Sequence, residues 1–297
     1  MDLGGNMQSL TSPKVLRELI ERHGFKFSKS LGQNFLIDEN ILRKIVDGAR
    51  IGKGDRVLEI GPGVGTMTQE LARRAERVVA VEIDKALLPI LSETLAEFPN
   101  VEIIHGDILK LDMARLMEEH FDKGPFKVVA NLPYYITTPI IMYFLEEGLP
   151  FETMVVMIQK EVAERMNARP GTKEYGALSI GVQYYAEPRI IGRVPPTVFM
   201  PPPKVDSIII ALDRKKEPEV FVKDRRLFFR LVKAAFAQRR KTLQNALFSS
   251  GIGGIEKEQW SRILKKCNID PSRRGESLTI REFAELANEL EQINRQP

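Results

Sequence analysis

The sequence predicts an α/β fold, a mostly parallel, doubly wound sheet followed by a small all-α domain. Three observations carry that expectation. Strand-length apolar runs alternate with helical patterns from Val57 to Asn167, which is the signature of βαβ units and a parallel sheet. A glycine-rich turn, Gly61-Pro62-Gly63-Val64-Gly65, joins the first of these runs to a helix. Beyond Lys215-Lys216-Glu217-Pro218 the pattern becomes helical throughout, so a domain boundary is expected at 214/215, separating 1–214 from 215–297.

Taken in order, Pro13 to His23 reads as a short helix, with Ser12 as its N-cap and Pro13 at its first position. Lys26 to Leu36 is a basic, glycine-containing segment that reads as an ordinary loop or, on the family resemblance given below, as a cofactor flap, with 1–36 then an N-terminal helix and flap. Asp38 caps the next helix. Val57 to Ile60 is a buried strand. The turn after it lets a ligand approach the backbone and aims a helix N-terminus at it. The dinucleotide pattern would want glycine or alanine at position 66, where this chain has Thr66, and Gly65 falls one place early. A second strand, Arg77 to Asp84, carries Glu82 about 20 residues beyond Gly61, where an acid commonly reaches a ribose diol. A third strand, Val101 to Asp107, ends on another carboxylate. A fourth run, Val128-Val129-Ala130, leads into Asn131-Leu132-Pro133-Tyr134. Thr153 to Gln159 is the fifth strand and Lys160 to Asn167 a helix. The Pro-rich stretch Pro195 to Pro203 separates Tyr184 to Val194 from the strand Val205 to Asp213, suggesting an antiparallel edge hairpin.

The chemistry is concentrated at the strand ends. The Asn131 amide oxygen and the Leu132 carbonyl can each accept a hydrogen bond from an exocyclic amine, and Pro133 restricts the backbone so that the two converge. Tyr134 offers a face on which a base can stack. Gly61, Glu82 and Asp107 supply a close backbone approach and two carboxylates at the carboxyl ends of successive strands, where open parallel sheets bind ligands. No pyrophosphate cradle is needed for S-adenosylmethionine, and its cationic sulfonium suits nearby carboxylates. Phe199 is a candidate for the second face of a base, with core packing as its other reading. His105 reads as structural.

Composition sets limits without identifying anything. The chain has 297 residues, 28% charged and 43% hydrophobic, with a net charge of +4, an ordinary globular profile. Its pI near 9.0 is compatible with a nucleic-acid partner. Cys267 is the sole cysteine, and His23, His105 and His120 are the only histidines, so no intrachain disulfide and no Cys/His zinc cluster are possible. Met1 to Ile20 lacks a basic-then-apolar pattern, and the longest apolar runs are of strand length, too short to span a bilayer. A cytoplasmic, monomeric protein without metal or membrane association is expected. In the helical region Leu227, Phe228, Leu231, Val232, Ala235 and Phe236 recur at helical spacing. Arg225, Arg226, Arg230 and Lys233 surround that stripe and Arg239, Arg240 and Lys241 end it; by themselves they read as a solvated helix face, and only the family resemblance given next makes them candidates for RNA phosphate contacts. Thr279-Ile280-Arg281-Glu282 is a capping box for the last helix.

With these pieces in order, the chain resembles the small-subunit (16S) rRNA adenine N6,N6-dimethyltransferases of the KsgA type. The resemblance rests on Ser30 to Leu36, Leu58 to Gly63, Asn131 to Tyr134, Phe199 to Ser207, Phe236 to Leu243 and Arg273 to Glu276. It implies a Rossmann-like class I methyltransferase with S-adenosylmethionine held at Asn34, Leu36, Gly61, Glu82, Asp107 and Asn131. It also implies dimethylation of two adjacent adenosines in a hairpin near the 3′ end of small-subunit rRNA, within an immature subunit during ribosome biogenesis. A large-subunit rRNA adenine methyltransferase of the macrolide-resistance type shares the glycine loop and the Asn-Leu-Pro-Tyr chemistry. A mainly non-catalytic assembly factor is the alternative of a different class.

Overall fold

A computed structural model describes residues 9–28, 30–238 and 240–295. These form two compact units, each treated separately: the chain through Ala163 with Arg189–Arg214, and Glu164–Pro188 with the chain from Lys215 onward.

The first unit is built on β1 (Phe35–Leu36), β2 (Arg56–Ile60), β3 (Arg77–Glu82), β4 (Val101–His105), β5 (Phe126–Asn131), β6 (Phe151–Gln159), β7 (Ala186–Val194), β8 (Phe199–Met200) and β9 (Ser207–Arg214). Seven of these strands form one sheet in the order β4-β3-β2-β5-β6-β9-β7. The pairings β2–β3, β3–β4, β2–β5 and β5–β6 are parallel, whereas β9 runs antiparallel to β6. The inner strands read as continuous apolar runs because helices cover a parallel sheet on both faces. The order reverses between β2 and β5, a topological switch point, where a ligand crevice opens at the carboxyl ends of the strands. Register brings those ends level, with Ile60 opposite both Val81 and Ala130.

Helices Glu39–Gly48 and Thr66–Arg74 bury Ile41, Ile45, Met67 and Leu71 against Val57, Val78, Val129, Val155 and Ile209 of five strands. The cap expected at Asp38 is present, its carboxylate accepting the Ile41 N–H at 2.9 Å. Ser12 precedes helix Pro13–Arg22 with no side-chain cap bond. Helices Leu88–Thr94, Met113–Phe121 and Thr137–Glu146 complete the crossovers.

A separate two-stranded ladder was not anticipated. β1 pairs antiparallel with β8, Phe35 opposite Met200 and Leu36 opposite Phe199, and the Ile37 N–H continues it to the Val198 carbonyl at 2.8 Å. This ladder fastens the end of the Lys26 to Leu36 segment to the Pro-rich connection. The hairpin at the sheet edge is formed by β9 and β7, but Tyr184 and Tyr185 close helix Ala177–Tyr185 instead of opening the strand.

The second unit packs helices Ala177–Tyr185, Arg225–Ala237, Leu243–Ser249, Lys257–Lys266 and Ile280–Arg295 around Tyr175, Phe228, Leu231, Trp260 and Phe283. The segment 164–188 belongs here, so a single cut after residue 214 does not describe the division. Within the unit, Gln183 Nε2 donates to the carbonyls of Met166 and Ala168, Tyr175 Oη donates to the Leu278 carbonyl at 2.9 Å, and the Lys215 N–H donates to the Tyr185 carbonyl. Arg273 is spent internally on Glu282 and the Ser277 carbonyl. The Thr279–Glu282 capping box is formed as expected, the Thr279 N–H reaching Glu282 Oε2 at 2.8 Å and the Glu282 N–H reaching Thr279 Oγ1 at 3.2 Å.

No helix of the described residues is long and apolar enough to cross a membrane.

Candidate active site

The glycine turn after β2 requires a left-handed backbone. Gly61 has φ +72° and Gly63 φ +61°, values that L side chains rarely adopt. An added Cβ at Gly61 would meet nothing within 4 Å, so the space beside it is open to a ligand. At Gly63 it would press on the Phe35 ring at 3.1 Å, so the glycine there serves packing of the flap end. Gly65 is the N-cap of helix Thr66–Arg74.

At the end of β3 the Glu82 carboxylate is buried. Its Oε1 accepts the Asp84 N–H at 2.8 Å and its Oε2 the Gly63 N–H at 3.3 Å. Burial lifts its pKa above the ordinary carboxylate range, and those backbone N–H bonds restrain the rise. Asp84 ties down the segment before β1: its Oδ2 accepts Gln33 Nε2 at 2.6 Å, and Gln33 Oε1 accepts the Ser28 N–H at 2.7 Å. Asp107 lies two residues past β4, with Oδ1 accepting the Leu109 N–H at 3.1 Å. His105 ends β4 in an exposed position, on the strand at the sheet edge.

After β5, Asn131 donates its amide Nδ2 to the Asn34 carbonyl at 3.0 Å. That bond fixes the amide orientation and leaves Oδ1 as the acceptor. The Leu132 N–H donates to the Met157 carbonyl at 3.2 Å, while no hydrogen bond among the described residues uses the Leu132 carbonyl. The Pro133 carbonyl, by contrast, is consumed by the Ile136 N–H and Thr137 Oγ1. Tyr134 is half-buried and its hydroxyl bonds Ser207 Oγ at 2.8 Å, which anchors the ring.

These groups line one open cleft. Asn34, Gly61, Glu82, Asp107, Asn131, Leu132, Tyr134 and Phe199 all border it. Leu36 does not. It borders a smaller hollow that shares Phe35, Gly61, Gly63 and Asn131 with the cleft. Phe199 is 4% exposed and belongs to the sheet-helix core while also lining the cleft, so core packing is the contact the structure shows.

Four participants escaped the sequence reading. Gln33 and Ser207 lie inside stretches that carry the resemblance, but nothing in the pattern gives either of them a role. Tyr135 follows Tyr134 and stands exposed at the rim. Glu59 was legible as the one charge in an apolar strand. It is fully buried, neither carboxylate oxygen completes a hydrogen bond, and the same is true of Thr66 Oγ1 and Thr68 Oγ1. Burial pushes its pKa up to about 8; Thr68, close by but not in good hydrogen-bonding geometry, tempers the shift, and the charge of Glu82 adds to it. Among the described residues no group of His, Cys, Asp and Glu side chains could hold a metal ion.

In the second unit Arg225, Arg226, Arg230, Lys233, Arg240 and Lys241 are all exposed. Lys241 Nζ donates to Ser249 Oγ at 3.1 Å. Arg239 lies outside the described residues. Helix Arg225–Ala237 places Arg225 and Arg226 in its first turn, where the macrodipole disfavours positive charge.

A glycine loop, a buried acid after the next strand and amine acceptors at the switch point together define a nucleoside-binding α/β enzyme of the methyltransferase kind. A profile of the family described as ribosomal RNA adenine dimethylase matches residues 24–286; the chain belongs to that family. A ribosomal RNA small subunit methyltransferase A from Alkaliphilus oremlandii is 58% identical over 284 residues, covering 96% of this chain and 99% of the relative. The protein of the same name from Clostridioides difficile is 53% identical, covering 95% and 97%. Among solved structures, a dimethyladenosine transferase from Plasmodium falciparum superposes with a TM-score of 0.73 at 28% identity, covering 87% of this chain and 98% of that one. The 23S rRNA methyltransferase ErmE gives 0.66 at 27%, covering 87% and 100%.

Proposed function

We propose that this protein transfers methyl groups from S-adenosylmethionine to the N6 amine of adenosine in small-subunit rRNA, producing N6,N6-dimethyladenosine. The observation that carries this reading is the pair of acceptors at the switch point. The Asn131 amide nitrogen is committed to Asn34, so Oδ1 and the adjacent Leu132 carbonyl remain to receive the two N–H bonds of one exocyclic amine. The family and the 53–58% identical relatives favour the small subunit. Likeness to ErmE alone would leave the large subunit open, since the two neighbouring structures differ little in identity and TM-score.

The cofactor fits the residues present. Gly61 offers open space at the backbone. In this reading Glu82 accepts from the ribose hydroxyls and Asp107 from the adenine amine, with Asn34 and Asn131 beside them in the cleft lining. When bound, S-adenosylmethionine supplies an electrophilic methyl group. The protein supplies geometry. Adenine's amine is a poor nucleophile because its lone pair is delocalised into the ring. Hydrogen bonds to Asn131 and Leu132 would draw its nitrogen toward tetrahedral geometry and position it for attack, which is the proximity contribution. Tyr134, anchored by Ser207, stacks on the target base, with Phe199 toward its other face. No side-chain base is required, because the amine loses its proton to water after transfer. A monomethylated amine retains one N–H, so the second transfer engages one acceptor of the pair. The target must be unpaired or extruded for both its edge and its faces to be reached.

We assign the substrate as two adjacent adenosines in a hairpin near the 3′ end, presented in an immature subunit, and the setting as cytoplasmic, with the enzyme acting as a monomer. The helical unit is assigned to RNA docking. Arg225 and Arg226 support this, since they hold positive charge where the helix dipole opposes it. An assembly role alongside catalysis is compatible with this assignment. The test is methyl incorporation from labelled cofactor into unmethylated small subunits. With saturating cofactor, Asn131→Ala is expected to lower kcat by roughly 10²-fold, the scale of removing one preorganised hydrogen-bonding group. An unchanged kcat would remove Asn131 from the reaction.

A further inference from the structure

Tyr135 stands beside Tyr134 in a different setting. Tyr134 is half-buried and anchored through its hydroxyl, whereas Tyr135 is 57% exposed and its hydroxyl has no hydrogen bond among the described residues. The backbone that carries it is nonetheless fixed. The Ile136 N–H and Thr137 Oγ1 both bond the Pro133 carbonyl, at 3.2 and 3.0 Å, and Thr137 is buried. The ring also rests by the flap: a Cβ built on Gly32 would lie 3.7 Å from Tyr135 Cδ1 and 3.5 Å from Pro133 Cβ. Gly32 and Tyr135 both border the cleft. The result is a firmly mounted aromatic ring at the rim, left open to solvent although burial of a ring is ordinarily favourable.

We infer that Tyr135 stacks on the nucleobase flanking the adenosine that enters the cleft, a binding position outside the reacting centre. The inference rests on the rRNA reading above. Drawing a base out of its stack deprives its neighbour of a stacking partner. An aromatic face at the mouth replaces that partner, as exposed aromatic rings do for unstacked bases in single-stranded RNA. The target itself has no need of Tyr135, because Asn131 and Leu132 take its edge and Tyr134 a face. The flanking base is the one left at the rim.

The test compares wild type, Tyr135→Ala and Tyr135→Phe on unmethylated small subunits, with cofactor affinity measured separately by calorimetry. A base-aromatic stack contributes ~1–3 kcal/mol, so Tyr135→Ala is expected to raise KM for the subunit roughly 5- to 150-fold. The Kd for S-adenosylmethionine should stay within about twofold of wild type, the range of a surface substitution worth under ~0.5 kcal/mol, which also shows that the variant is folded. Tyr135→Phe keeps the ring and should keep the wild-type KM. An unchanged KM in Tyr135→Ala overturns the inference, as does a parallel loss of cofactor affinity, which would make Tyr135 a support for the flap. Failure of Tyr135→Phe would assign the effect to the hydroxyl and overturn it too. Wild-type enzyme that methylates no rRNA would instead remove the functional reading beneath it.

Discussion

Glu59 illustrates how much one residue can depend on its surroundings. It sits in the central strand of a parallel sheet, fully buried, with both oxygens unpaired. Its carboxyl is therefore protonated near neutrality, with a pKa of about 8 in place of 4.5. A carboxylate raised in the folded state contributes stability that is fully present below its unfolded pKa and is lost as pH rises through the folded one. Between pH 6 and 8 the cofactor-free protein should lose roughly 2 kcal/mol relative to Glu59→Gln, whose side chain stays neutral. Chemical denaturation of both proteins at the two pH values checks this. A constant difference between them would mean that Glu59 is ionised and solvated in the fold. The sequence shows a charge in an apolar strand, but not that its partners are missing, since that depends on Thr66 and Thr68 from the following helix.

At the scale of elements, local chemistry predicted most of what positions the site. The parallel strands and their helices followed from apolar runs alternating with helical patterns, and Asp38 and Thr279 announced their helices by capping. The β1–β8 ladder was hidden because two-residue strands have no periodicity, and its partners lie far apart in sequence. Helix Ala177–Tyr185 was missed because its sequence is apolar on most sides, giving no amphipathic stripe to distinguish it from a strand. The Arg273-Arg274-Gly275-Glu276 stretch shows a motif whose contacts are largely structural. Arg273 is committed to Glu282 and Ser277. Gly275 abuts helix Arg225–Ala237 so closely that an added Cβ would lie 2.8 Å from the Ala235 carbonyl oxygen. Gly275→Ala should therefore destabilise the protein by about 1–3 kcal/mol through overpacking, read as a lower urea midpoint. A midpoint equal to wild type would show that the helix can shift to accommodate a methyl group.

For the whole molecule, the division of labour follows from where chemistry and charge fall. Every residue assigned to the cofactor and the target base belongs to the first unit, with most of them at the carboxyl ends of its strands. The basic residues assigned to RNA belong to the second. Motif order made the first assignment legible, since the glycine loop, Glu82, Asp107 and Asn131 follow one another at successive strand ends. The boundary was legible only in part. Lys215 does begin the second unit, yet 164–188 joins it through contacts such as those of Gln183 and Tyr175, which no linear pattern reveals. The central claim is that the paired acceptors Asn131 and Leu132 present adenosine of small-subunit rRNA for dimethylation. Its most direct test offers unmethylated small subunits, large subunits and free rRNA to the enzyme with labelled S-adenosylmethionine, then identifies the modified nucleosides by mass. The account predicts N6,N6-dimethyladenosine on the small subunit only; product on large-subunit rRNA, or none on any substrate despite cofactor binding, would contradict it.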